Sequence, residues 1–398
     1  MSTRPLSYGS HLIDEDDITA VVLALRSDRI TQGPLVAEFE RAIARRVDAR
    51  HVTAVSNGTA ALHVAYEALG LSAGDEIITT PITFVATANA ARMLGAHVRF
   101  ADVLPESGNI DPASVEKLVG PRTRGIVPVH FGGLPVDLQA LREIANRHGL
   151  WIVEDAAHAL GAAYRGSAIG SCRYSEATTF SFHPVKHITT GEGGAICTPD
   201  AALKKRMDQL REHGLLRIPA PNSGGHFGYQ LGSLGYNYRL SDIQCALGIS
   251  QLQKLTRWVE RRESLAALYR AELSELGSPW VRASASAAES RHAYHLFSVL
   301  IDFEGARVTR AEVMTSLAQH GIAAMVHYIP VCDQPYYEGL YGRAHCPVAR
   351  RFYEMELSLP MHVGMSDEDV ARVVGALDWA LRRGKSRIDN EGKLACGL

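Results

Sequence analysis

From about residue 50 onward, short apolar runs alternate with stretches whose apolar residues keep helical spacing. Residues 53–62 read as a short strand turning through Gly58 into a helix, with Leu62, Ala65, Tyr66 and Leu69 on one face. The runs 76–79, 97–100, 125–129 and 150–154 predict strands, and 83–94 and 137–148 predict the helices between them. Such strand–helix–strand repetition implies a mostly parallel sheet with helices on both faces. Further along, 241–276 predicts one long amphipathic helix carrying Ile243, Leu247, Leu252, Leu255, Val259, Leu265 and Leu268; its stripe is too irregular for a coiled coil and suits a helix linking two domains. The small polar run 282–290 reads as a surface loop. Beyond it, 294–303 predicts a strand, 309–320 a helix, 322–329 a strand and 366–383 a helix, which together describe a small α+β unit.

Three short stretches carry chemistry within this pattern. In the first, Lys186 is isolated in an apolar turn closed by Gly191, Gly193 and Gly194. Burial disfavours an ammonium, and the neutral amine that results is the form that attacks a carbonyl; a lysine snorkelling from a loop is the plainer alternative. In the second, the strand 150–154 runs directly into Asp155, Ala156, Ala157 and His158. Ligands of open parallel sheets sit beyond the carboxyl ends of strands, so Asp155 points where a cofactor would lie. A carboxylate there can hold the proton of a pyridine nitrogen, or it can cap a following helix. The third is the Gly58 helix start, whose free N–H groups suit a phosphate, an ordinary capped helix start being the plainer alternative. An exposed helix dipole contributes only about 0.3–1 kcal/mol, so hydroxyls must help, and Thr59 and Ser181 are the candidates. Lysine and aspartate together point to pyridoxal phosphate.

Length and composition add bounds. A chain of 398 residues exceeds what one core usually serves, so two domains are expected. A formal net charge of −2 and a pI near 6.8 give no field that would draw nucleic acid or an anionic membrane. Six cysteines without a C-x-x-C pair read as free thiols of a reducing cytosol. With no signal-like apolar run after Met1-Ser2-Thr3 and no membrane span, a cytoplasmic protein is expected.

These residues resemble, in order, the motifs of the pyridoxal-phosphate-dependent nucleotide-sugar aminotransferases of the DegT/StrS type. The matching stretches are Ser56 to Leu62, Thr83 to Thr87, Glu154 to His158, Ser181 to Gly194 and Gly235 to Asp242, and the resemblance spans about residues 6 to 380. It implies a fold-type I (aspartate aminotransferase-like) α/β fold: a large cofactor-binding domain at 1–245, whose first 35 residues pack near the site, a small α+β domain at 246–385 and a frayed tail at 386–398. Lys186 would be the Schiff-base lysine and proton shuttle, with Asp155 on the pyridine nitrogen. Phe84 would stack on one ring face and His158 would lie by the other face or the phenolic oxygen; packing in the core is the alternative for Phe84. Gly58, Thr59 and Ser181 would hold the phosphate. Asn237 would reach it from the neighbouring subunit of a homodimer, unless it is a simple turn residue. Tyr8, Thr31, Gln32, Arg239, His327 and Tyr328 are implied substrate contacts, with a structural ion pair the alternative for Arg239. The run Phe182 to Lys186 looks most like the branch acting toward pseudaminic acid. That implies an amino group passed from L-glutamate, by way of pyridoxamine phosphate, to C4 of a UDP-linked 4-keto-6-deoxy-N-acetylhexosamine. A different keto sugar nucleotide, an amino-acid transaminase and a non-catalytic relative are the alternatives.

Two positions depart from the family's pattern. Cys332 follows His327-Tyr328-Ile329-Pro330-Val331 where the family often has a histidine, which bears on a sugar or nucleotide contact. His187 stands where this branch often has proline, and a solvent-facing loop position is expected for it. A metal site is not expected, because Pro184 keeps His183 and His187 from sharing a helix face.

Overall fold

The computed structural model describes residues 4–219, 227–287 and 289–395, with side chains of the last helix described to Arg383. Its centre is a seven-stranded sheet: β1 (His51–Val55), β2 (Glu76–Thr79), β3 (His97–Phe100), β4 (Thr123–Val127), β5 (Trp151–Asp155), β6 (Ala177–Ser181) and β7 (Gly194–Thr198). The spatial order is β1-β7-β6-β5-β4-β2-β3. Neighbours are parallel from β3 through β6, and β7 runs antiparallel to both β6 and β1.

The central strands carry consecutive apolar residues, such as Ile77-Ile78, Ile126-Val127 and Ile152-Val153, because both faces of the sheet are covered there. Alternation sends Ile78, Ile126 and Ile152 into one core with Phe39, Ile43, Leu141, Ile144 and Leu255. Their neighbours Ile77, Val127 and Val153 enter the opposite core with Leu62, Tyr66, Ala88, Ala91 and Met207. A third core gathers the C-terminal elements: Phe297, Val299 and Ile301 with Val313, Leu317, Leu357, Leu359, Val370 and Leu377. There Val281–Ala283, Phe297–Ile301 and Glu356–Leu359 form an antiparallel three-stranded sheet. The helix Asp242–Leu276 starts in a capping box made by Ser241 and Gln244. It places Leu252, Leu255 and Val259 in the first core and Leu265, Tyr269 and Leu273 in the third.

Some elements differ from the sequence reading. Residues 322–329 form no strand; only isolated bridges join Ile322 to Leu6 and Met325 to Ser358. Side chains take the place of a ladder here, since the His327 N–H donates to Glu356 Oε2 at 2.8 Å. The stretch 282–290 is a loop only in part: Arg282 and Ala283 pair with Leu300 and Val299, and Ser290 pairs with Tyr164, because both ends lie beside free strand edges. Ala288 lies outside the described residues. The stretch expected as a frayed tail from 386 has a helical backbone as far as Ala395. The helix that begins at Asp367 continues to Ala395 with no proline in it, and residues 396–398, with Cys396, lie outside the described residues, as do Met1-Ser2-Thr3. The five described cysteines are unpaired and buried. Among the described residues no helix is long and apolar enough to cross a membrane.

Candidate active site

A cleft of about 680 Å³ opens at the carboxyl ends of β5 and β6, beside the start of the helix Gly58–Ala68 and under the segment 325–328. That volume lies within the usual range for small-ligand sites. The cleft is lined by ten residues singled out from sequence: Tyr8, Gly58, Thr59, Phe84, Asp155, His158, Ser181, Lys186, His327 and Tyr328.

Asp155 is the last residue of β5 and is 5% exposed. No helix follows it, so it caps none; its Oδ1 accepts the Ala157 N–H at 3.1 Å. Its Oδ2 accepts from Thr87 Oγ1 at 2.7 Å, and with that proton committed, Thr83 Oγ1 donates to Thr87 at 2.8 Å. Sequence reading quoted the Thr83 to Thr87 stretch without seeing this relay, because the partner carboxylate lies 68 residues away. Burial pushes the Asp155 carboxyl above its ordinary value; Thr87, Ala157 and the charges of Lys186 and His130 oppose the rise. One residue earlier, Glu154 faces the other way and bonds His130 Nε2, Ser175 and Thr178.

Lys186 sits in a loop that closes on itself. The Phe182 N–H donates to Gly193 O, and the Phe182 carbonyl accepts from the Thr190 N–H and Thr189 Oγ1. Burial brings the lysine down from 10.5 to about 8, with Asp155 pulling the other way. Among the described residues no carboxylate pairs with it; the side chain that comes within hydrogen-bonding distance of its amine is His295, with Nε2 at 3.5 Å. His295 went unremarked in the sequence, where nothing local distinguishes it. His187 is not solvent-facing as expected: it is 3% exposed and its Nε2 donates to the Ala293 carbonyl at 2.9 Å, which turns the ring into the core.

At the phosphate-like end, Asn57 caps the helix through the Ala60 N–H, leaving the N–H groups of Gly58 and Thr59 without intrahelical partners. A Cβ on Gly58 would lie 2.9 Å from Ser181 Cβ, so a side chain there would fill the space between the helix start and the end of β6. His158 is 4% exposed, its Nε2 meets Tyr328 Oη at 3.3 Å, and its Nδ1 has no partner among the described residues. Burial holds it well below its ordinary value, so it is a neutral imidazole. Phe84 is not core: it is 60% exposed at the cleft mouth, 6.5 Å from the Tyr328 ring.

Four predicted residues lie outside this cleft. Asn237 is exposed and forms an isolated antiparallel bridge with Glu212 rather than a turn, Arg239 is two residues on, and Thr31, bridged to Ser241, carries Gln32 with it. Cys332 also lies elsewhere, 2% exposed in the second core, so it makes no sugar or nucleotide contact from this position.

The cleft suits pyridoxal phosphate: an amine of lowered basicity, a buried carboxylate with a lone pair to spare on each oxygen, and a glycine-floored helix start. A parallel sheet carrying these groups at its strand ends defines a fold-type I transferase. The chain belongs to the DegT/DnrJ/EryC1/StrS aminotransferase family, whose sequence profile matches residues 11–378. It is 40% identical over 380 residues to the spore coat polysaccharide biosynthesis protein SpsC of Bacillus subtilis, covering 94% of this chain and 96% of that one. It is 36% identical over 375 residues to the UDP-4-amino-4,6-dideoxy-N-acetyl-beta-L-altrosamine transaminase of Campylobacter jejuni, covering 94% and 96%. Among solved structures it resembles Helicobacter pylori PseC, an aminotransferase of pseudaminic acid biosynthesis, with a TM-score of 0.89, 32% identity and 96% and 100% coverage. The protein is thus a pyridoxal-phosphate aminotransferase acting on nucleotide sugars.

Proposed function

We propose that the chain transfers the amino group of L-glutamate to C4 of a UDP-linked 4-keto-6-deoxy-N-acetylhexosamine. The observation that carries this reading is the presence, in one cleft, of both the low-basicity Lys186 amine and the buried Asp155 carboxylate. When bound, pyridoxal phosphate supplies a carbonyl that accepts an amino group and a ring that draws electrons from the carbon losing its proton. Lys186 Nζ takes the proton from the nitrogen-bearing carbon of glutamate and, in the second half, delivers one to C4 of the sugar. Asp155 holds the proton on the ring nitrogen, fixed in place by Thr87 and the Ala157 N–H. Gly58, Thr59 and Ser181 bind the phosphate; Phe84 and His158 orient the ring; Tyr8, His327 and Tyr328 line the substrate side. Glutamate and sugar use the cleft in turn, because one lysine serves both proton transfers.

The active unit is a homodimer in this reading. Phe84, Met325 and Ile329 expose large apolar surface at and beside the cleft, and Asn237, Arg239, Thr31 and Gln32 do not line their own chain's cleft. A second copy covers the former and receives the latter, with Asn237 on the phosphate and Arg239 on the anionic groups of both substrates. The C4 assignment on a UDP sugar follows the likeness to the Campylobacter transaminase. Glutamate-dependent amination of a panel of UDP- and dTDP-linked 4-keto sugars tests it: fastest turnover is expected on the UDP-N-acetyl-4-keto-6-deoxy sugar, and faster turnover on a dTDP-4-keto-6-deoxyhexose overturns it.

A further inference from the structure

The mechanism leaves a contact of the catalytic lysine unused, that between Lys186 and His295. We propose that His295 is a positioning residue that holds the Lys186 amine against the cleft wall whenever the lysine carries no cofactor. This rests on Lys186 being the cofactor lysine.

The contact is 3.5 Å from Nζ to Nε2, across 109 residues of sequence. His295 is 5% exposed, and its place is fixed from several sides without help from Lys186. The buried Arg262 guanidinium donates through Nη1 to the Tyr294 and Met361 carbonyls at 3.1 and 2.9 Å, with the His295 carbonyl at 3.4 Å. The N–H groups of Ala293 and Leu296 donate to Gly133 O and Gly132 O, and His187 grips the Ala293 carbonyl. A side chain at Gly133, which has a φ of +98°, would strike His158 O at 2.7 Å and His295 N at 3.1 Å. Only glycine lets the two histidine-bearing segments meet, and their rings stand 4.3 Å apart.

An imidazole suits this task better than a carboxylate. Burial, with the charges of Lys186 and Arg262 and the flanking His158 and His187, keeps His295 neutral. A carboxylate in contact would lock the lysine as ammonium. The neutral ring instead accepts from an amine or ammonium at Nε2 in one tautomer and donates to the amine lone pair in the other. His295 Nδ1 has no partner among the described residues, so nothing fixes the tautomer. The lysine is thereby aimed while its proton stays exchangeable.

The test compares wild-type apoenzyme with His295→Gln, His295→Asn and His295→Leu, following covalent capture of added pyridoxal phosphate by stopped-flow absorbance. Glutamine puts a polar atom near the position of Nε2, asparagine stops a bond short, and leucine keeps the bulk alone. Capture by the Gln variant is expected within about threefold of wild type, and capture by the Asn and Leu variants on the order of tenfold slower or more. Wild-type rates in Asn and Leu, or a Gln variant as slow as Leu, overturn the proposal. Should Asn and Leu both fail to fold, the ring ¹⁵N signals of His295 in folded Lys186→Ala decide: they move if the contact exists, and unmoved signals refute it. Borohydride fixation in the same samples separates the two claims. A label absent from wild-type Lys186 removes the lysine assignment, whereas a label on Lys186 with unaltered capture removes only the role of His295.

Discussion

Lys186 of the cofactor-free protein titrates near 8, where an ordinary lysine titrates at 10.5, because its ammonium loses water. At pH 7 this raises the unprotonated share from about 0.03% to about 9%, a gain of roughly 300-fold. Trace acetylation of apoenzyme across a pH series, read peptide by peptide by mass spectrometry, measures the midpoint directly. Lys254 supplies the contrast: burial pulls it down too, but hydrogen bonds to Asp14 and Asp17 outweigh that and hold it above 10.5. Asp155→Asn removes the charge that pulls Lys186 upward, so the Lys186 midpoint falls further in that variant. The linked effect on folding has a definite sign. The unfolded chain binds the extra proton between about 8 and 10.5, so burying Lys186 costs stability below that window and none above it. Lys186→Met should therefore raise the apoenzyme's melting temperature at pH 7, and the gain should vanish by about pH 10.5. A Lys186 midpoint at 10 or higher, or one that rises in Asp155→Asn, refutes the reasoning.

Gly58→Ala forces a Cβ to within 2.9 Å of Ser181 Cβ, and equilibrium dialysis should show cofactor affinity weakened on the order of tenfold. Asp155→Asn should retain part of its cofactor by absorbance yet lose about 100-fold or more in kcat, since the ring nitrogen no longer has a partner that keeps its proton. Mixing inactive Lys186→Ala with Asn237→Ala subunits should restore part of the activity through one composite site per hybrid dimer. A fully active monomer by light scattering would defeat that expectation.

Lys186 and Asp155 stood out in the sequence because each announces itself locally, one by an apolar glycine-closed turn and the other by an acid set at the end of an apolar strand. The sheet was legible for a similar reason: in 76–79 and 150–154 both faces are buried, so apolar residues stand at successive positions, Ile77-Ile78 and Leu150 to Val153. What escaped depends on partners far along the chain. The run 322–329 has the composition of a strand, but Glu356 takes the His327 N–H. Thr87 matters through Asp155, and His295 through Lys186 and the Arg262 clamp, and no spacing within either segment encodes those meetings. The turn of His187 into the core is likewise set by the Ala293 carbonyl, 106 residues distant.

Borohydride reduction of the holoenzyme followed by peptide mapping tests the central claim most directly, because it reports which amine meets the cofactor without reference to any substrate. The account predicts one reduced pyridoxyl label per chain, on Lys186, and none in Lys186→Ala. A label recovered on another lysine, or no label on a yellow protein, would contradict it.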